Sequence, residues 1–269
     1  MRQRPGGLKS LYTGTAVNAG DRPTFLGQTF LRRRHARPVR RRLQSAGAQD
    51  AAKMRYCVIM STTFRPATPD DARFLGWVMF MAARGHLARG WFDIVLQRPI
   101  EFGVAFCGRL ANARAKSWWH HSFFTVAEID GRAAAAACAF ADSAPYMVSG
   151  EAMAEASDKM GIAKAEQEQL WPRGRFMMSA TSGEDACWTI ENVATWPEFR
   201  GRGVAKALIE HMLGTMGEPK RAQISFLLGN APAEACYRAC GFAFAEDKCA
   251  KDFEAAMGVP GIRRLARNL

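Results

Sequence analysis

Long apolar runs are missing from this chain of 269 residues. No uninterrupted stretch approaches the roughly 18–20 apolar residues that a membrane-spanning helix needs, so no helical span is expected. The N-terminus also lacks the apolar core of a secretory signal. Acidic residues are scarce at one end only. Residues 1–53 hold 12 Lys/Arg against Asp21 and Asp50, whereas the rest of the chain carries 25 Lys/Arg and 23 Asp/Glu. Of the net charge of +12, +10 (12 − 2) therefore belongs to a leader, and the near-neutral body, at +2 (25 − 23), gives no strong steering towards polyanions such as nucleic acid. Seven cysteines occur, an odd number, and none forms a Cys-x-x-Cys pair. That pattern suits a reduced, cytoplasmic protein that uses cysteine as a small apolar residue. Cys236 and Cys240 lie one helical turn apart, but no third ligand is near them, so core packing is expected and no metal.

The basic leader has no hydrophobic period. Its densest part, Arg32 to Arg42, repels itself and has too little apolar surface to offset its ordering entropy. We expect residues 1–59 to be a disordered leader and residues 60–269 to form one domain. Three readings of the leader stand side by side: an arm for nucleic acid or a membrane surface, an Arg-rich transit peptide, or translated upstream sequence with the working start at Met54 or Met60. The abrupt change to patterned sequence after Met60 favours the third.

Residues 63–72 read as a short strand, a loop and a helix start, with Pro69 in the first turn and Asp70 and Asp71 complementing the helix dipole. A helix is expected over about 70–86, with Phe74, Val78 and Met81 on one face. A second helical region lies within about 92–116. Trp118-Trp119-His120-His121 follows, most simply two buried tryptophans and two rim histidines. Strands over Phe123–Ile129 and Arg132–Phe140 flank Asp130-Gly131, a strong hairpin signal. Residues 142–186 break the pattern, although Glu151 to Leu170 is helical in character, with Met153, Met160, Ala163 and Leu170 in a weak stripe. Later come a buried strand over 221–228, a helix over about 231–240, and a closing strand from Val259 to Leu265.

The most informative stretch runs from Thr189 to Ile209. It begins as a strand, which Pro197 stops because it has no N–H to give. A helix starts at about Gly203, with Val204, Ala207, Leu208 and Met212 on one face. Between them, Arg200-Gly201-Arg202-Gly203 allows a tight turn and close backbone approach to a ligand. The first N–H groups of the helix have no internal partner, and the dipole and two arginines add positive charge, so this is a socket for a pyrophosphate. It is not a dinucleotide fingerprint, because Lys206 stands where the third glycine belongs, and no Gly-Lys-Ser/Thr follows for a Walker loop.

Arg200-x-x-Gly203-x-Ala205 resembles the acetyl-CoA-binding motif of the GNAT acyltransferase superfamily. Asn230, with Tyr237, Arg238, Gly241 and Phe242, resembles its second signature. The likeness covers about residues 60–269 and includes the opening strand and helix. It implies an α/β fold: a mixed, mostly antiparallel sheet of six to seven strands flanked by helices, with two central parallel strands splayed apart. Acetyl-CoA as co-substrate is implied, its pantetheine arm held by backbone groups of Val193, Ala194 and Thr195. Its pyrophosphate would rest on Arg200, Gly201, Arg202, Gly203, Val204 and Ala205, and Asn230 belongs to the same set. Most members join the strands around residues 142–186 by a short loop. The extra segment here is a lid or substrate-shaping element, or a packing or homodimer element. In such folds the Trp118–His121 neighbourhood borders the acceptor site.

The implied reaction is direct acetyl transfer to a primary amine of a small molecule or peptide. Polyamine acetyltransferases of the superfamily have a glutamate at the place of Glu191, where it serves as general base. Period-two alternation puts Glu191 on the face of Val193 and Thr195. Burial would raise its pKa towards a useful value, and binding of a substrate cation is the other reading. Tyr237 would give its phenolic proton to the departing thiolate, or merely place the sulfur. No Ser/His/Asp or Cys/His arrangement suggests a covalent acyl-enzyme. The rival class is a non-catalytic acyl-CoA-binding sensor or scaffold.

Overall fold

The computed structural model describes residues 62–141 and 143–269. The expectations for the leader, and for Met54, Cys57 and Met60, lie outside the described residues. Seven strands form one sheet in the order β1-β2-β3-β4-β5-β7-β6. They are β1 (Thr62–Pro66), β2 (Phe124–Ile129), β3 (Arg132–Phe140), β4 (Trp188–Thr195), β5 (Arg221–Leu227), β6 (Ala243–Cys249) and β7 (Gly261–Asn268). All neighbours are antiparallel except β4 and β5. No helix among the described residues is long and apolar enough to cross a membrane.

Local chemistry explains the chain's path. Thr68 and Asp71 form a reciprocal cap ahead of α1 (Ala72–Arg84), and Arg65 clamps Asp71 at 2.7 and 2.9 Å. The expected helical region within 92–116 is two helices, α2 (Trp91–Leu96) and α3 (Ile100–Ala111). Gln97 in the left-handed region, followed by Arg98-Pro99, separates them. The β2–β3 hairpin turns as expected, with Asp130 and Gly131 both at positive φ, as a type I′ turn requires.

The long β3–β4 connection holds four helices: α4 (Ala144–Met147), α5 (Ser149–Lys159), α6 (Lys164–Gly174) and α7 (Met177–Ala180). The helix expected from Glu151 to Leu170 is thus broken, at Gly161 with φ +68°. After β4 come α8 (Val204–Thr215) and α9 (Ala231–Ala239). Strand β6 and α10 (Lys251–Met257) were not expected from the sequence, and the closing strand lies at 261–268 rather than 259–265.

Two cores sandwich the sheet. One gathers α1, α2, α3 and the β3–β4 helices around Phe80, Phe92, Trp118 and Trp119. The other gathers α8 and α9 around Leu208, Phe226 and Tyr237. Helices α1 and α3 cross so closely that a Cβ on Gly76 would lie 2.4 Å from the Val104 oxygen. Gly76→Ala should therefore cost about 1–3 kcal/mol in a urea melt, as overpacking does. Gly214→Ala on α8, where a Cβ meets nothing within 4 Å, should be neutral or stabilise by up to about 1 kcal/mol.

Candidate active site

Strand β4 carries the site. It pairs with β5 only at Trp188, Thr189 and Ile190, against Ala222, Gln223 and Ile224. Beyond that point the two parallel strands part, while β5 continues along β7 to Leu227. Facing β3, the register steps from Cys138↔Glu191 to Ala136↔Ala194, so β4 carries one extra residue. Asn192 absorbs it with φ +53°, a conformation that asparagine tolerates.

The bulge changes which side chains share a face. Period-two alternation puts Glu191 with Val193 and Thr195, and the structure corrects this. Val193 packs with Ile190 in the α8–α9 core, whereas Ala194 packs in the other core. Glu191 pairs with Cys138 and so shares the face of Ala194. Tyr237 belongs to the α8–α9 core, so the two candidate catalytic side chains come from opposite faces of the sheet.

Glu191 is fully buried. Its Oε1 accepts a hydrogen bond from the Tyr146 hydroxyl at 2.9 Å, and its Oε2 has no protein partner. Burial pushes the carboxyl well above the ordinary carboxylate range, and the Tyr146 bond opposes this only in part. Tyr146 comes from α4 and was missed in the sequence, where nothing but its rarity marked it: the chain has four tyrosines, and two are in this site. Its ring is held edge-on to Phe140 at 4.9 Å and against Trp118 at 5.5 Å. Trp118 and Trp119 are buried, as expected, but His120 is also buried rather than at a rim. Burial pulls His120 down to about 4, so it is neutral at pH 7.

The glycine turn has the expected form. Gly201 and Gly203 both have φ +74°, and a Cβ on either would meet no protein atom within 4 Å. The first bond of α8 runs from the Ala207 N–H to the Gly203 oxygen, so the N–H groups of Val204, Ala205 and Lys206 have no acceptor within the helix. They border a cavity of about 200 Å³ lined by Thr195, Phe199, Arg200, Gly201 and Cys236. Arg200 ties the turn to the strand through Nε to the Thr195 oxygen at 3.2 Å, and Arg202 lies over the Phe199 ring. Asn230 caps α9 through Oδ1, leaving Nδ2 buried without a protein partner. Tyr237 is fully buried, edge-on to Phe226, and burial raises its pKa so that the phenol keeps its proton.

A second cavity, of about 350 Å³, adjoins Tyr146 and is lined by Ser143, Glu184, Asp185, Thr189 and Gln223. Thr189 precedes Glu191 by two residues on the regular part of β4, so this cavity runs along the face that carries Glu191. Its wall is pinned. Gln223 donates to Thr189 Oγ1 at 3.0 Å, and Arg221 with Arg264 holds the Glu184 carboxyl down to about 2.

Among the described residues no group of three or more His, Cys, Asp or Glu is placed to hold a metal ion. Residues 98–242, more than half of the chain, match the model of the acetyltransferase (GNAT) family. Solved structures share the fold. An N-acetyltransferase from Staphylococcus aureus Mu50 superposes with a TM-score of 0.52 at 17% identity, over 76% of this chain and 100% of its own. Another acetyltransferase gives 0.55 at 16% identity, over 77% and 98%. No curated protein sequence matches the chain.

The raised pKa of Glu191 makes a stability prediction. The folded state holds this proton above the unfolded value of about 4.3, so stability falls as pH rises from there through the folded pKa. Glu191→Gln keeps the acceptor for Tyr146 and cannot ionise. Its melting temperature should exceed that of the parent at pH 8, with the gap closing towards about pH 4.

Proposed function

The chain belongs to the acetyltransferase (GNAT) family and is an acyltransferase, and from this premise we propose that it moves an acetyl group from acetyl-CoA directly to a primary amine of a small molecule or peptide. The observation that carries the reading is a buried carboxyl, Glu191, placed where β4 and β5 part, with one oxygen held and the other without a protein partner. The residues present fit the co-substrate. Five buried polar atoms lack protein partners along β4 and at the start of α9, four of them beyond the last residue paired with β5: Glu191 Oε2, Asn192 Oδ1, Thr195 Oγ1 and Asn230 Nδ2, the fifth being Trp188 Nε1. An orphaned buried polar group is costly, about 1–3 kcal/mol each, which suits a site completed by a ligand. Val193, Ala194 and Thr195 have no ladder partner towards β5, and the start of α8 offers N–H groups to a pyrophosphate.

When bound, acetyl-CoA supplies an activated acyl carbon. The roles of the chain's own residues follow from their surroundings. In this reading Glu191 takes the proton that the amine must lose as the new N–C bond forms. Burial makes the ionised carboxyl the stronger base, and an arriving ammonium favours that ionised form, which can then accept the amine's proton. Tyr146 fixes the orientation of the carboxyl. Tyr237, still protonated, supplies a proton to the sulfur as the C–S bond breaks. The cavity beside Tyr146 is the acceptor's entrance, since it shares the face of Glu191.

A screen of primary amines with thiol release as readout tests this reading. With an accepted amine, Glu191→Gln should lower turnover at neutral pH by about 10²–10⁴-fold, with partial recovery as pH rises and more amine is already neutral. Tyr237→Phe should lower turnover with little change in CoA affinity. Acetyl-CoA binding without thiol release for any amine would instead make the chain a binding module.

A further inference from the structure

Helices α5 and α6 enclose, with Trp91 and Trp119, a cavity of about 460 Å³ that is separate from the two cavities beside β4. Its volume is that of a small-molecule pocket. Its walls are aromatic and apolar: Trp91, Trp119, Met153, Leu170 and, at the mouth, Trp171. Trp91 and Trp119 are buried, whereas Trp171 is 48% exposed, an unusual placement for so large an apolar side chain.

The cavity exists because of one helix face. Gly150, Met153, Ala154 and Ser157 follow the i, i+3, i+4, i+7 spacing, so α5 turns mostly small side chains towards α6. Gly150 and Ala154 are exposed, so the cavity opens to solvent on this side, and a Cβ on Gly150 would meet no atom within 4 Å. Elsewhere the same layer is tightly filled: Gly174 packs on Trp91 so closely that a Cβ would come within 2.6 Å of the ring. The gap is therefore local. Ser157, also in the lining, is fully buried, and its hydroxyl has no protein partner. The other hydroxyl of the wall, Ser149 Oγ, is already engaged by Trp118 Nε1 at 3.1 Å. The charged lining residues, Lys164 and Glu168, are exposed at the rim, and Lys164 is turned to Asp158 at 2.6 Å.

We propose that this cavity is a second small-molecule site, for an uncharged planar aromatic of one or two rings carrying a single hydroxyl or amino group. The tryptophan walls take the ring, and Ser157 meets the polar substituent. The absence of an inward-facing charge excludes nucleotides and acidic ligands from the interior. This site does not rest on the acetyl-transfer reading, because it shares none of its proposed groups.

The test uses the full chain, with 2-naphthol as the probe in isothermal titration calorimetry. We expect saturable one-to-one binding at micromolar concentrations, unaffected by saturating CoA. Gly150→Phe fills open space on a helix face and should weaken binding at least tenfold while keeping the parent's circular dichroism and melt. Ala154→Phe is the second filling variant, should the first fail to fold. Ser157→Ala should weaken 2-naphthol several-fold and leave naphthalene unchanged. No saturable binding, equal binding by the folded filled variants, or competition with CoA would each overturn the proposal.

Discussion

One extra residue in β4 governs the centre of this protein. A regular parallel pair would keep β4 and β5 bonded along their length and leave nothing for a ligand. With Asn192 inserted at positive φ, pairing with β5 ends at Ile190, and β4 keeps only β3 beyond it. The freed backbone edge, the glycine turn and the start of α8, whose first N–H groups have no acceptor within the helix, then follow one another along the chain. A bulge leaves its extra residue outside the ladder and is stable only where the surroundings hold it. Here Asn192 is buried, with its amide against the Cys138 sulfur at 3.4 Å.

The second constraint is the burial of Glu191. A carboxyl in a closed apolar setting favours its neutral form, and among the described residues no cation reverses this. What the structure supplies is a single hydroxyl from Tyr146, braced by Phe140 and Trp118. Tyr146 itself comes from the long β3–β4 connection, which therefore contributes to the site as well as covering one core. The same helices hold the tryptophan-walled cavity, so the segment that departs most from a short loop is also the one richest in chemistry.

Much of this was legible in the residues. The Asp130-Gly131 hairpin, the stop at Pro197 and the glycine turn at 201–203 each depend on local backbone chemistry, and local chemistry is what a sequence displays. The sheet order around β4 and β5 followed from two signatures in the right order. Other features depend on contacts between distant residues. The Glu191–Tyr146 bond spans 45 positions, and no spacing rule links them. The bulge hid because Glu191 to Thr195 alternates plausibly as a plain strand, and only pairing with β3 exposes the extra residue. Strand β6 was overlooked because its charged, half-exposed residues suit a sheet edge and carry little apolar pattern.

The central claim is that the parting of β4 and β5 at Asn192 is where the acyl-CoA lies. A crystal structure of the chain with CoA tests it most directly. The account predicts the pyrophosphate on the N–H groups of residues 201–205, the pantetheine arm against Val193 to Thr195, and the sulfur within hydrogen-bonding reach of the Tyr237 hydroxyl. CoA bound elsewhere, or a sulfur remote from both Tyr237 and Glu191, would contradict it.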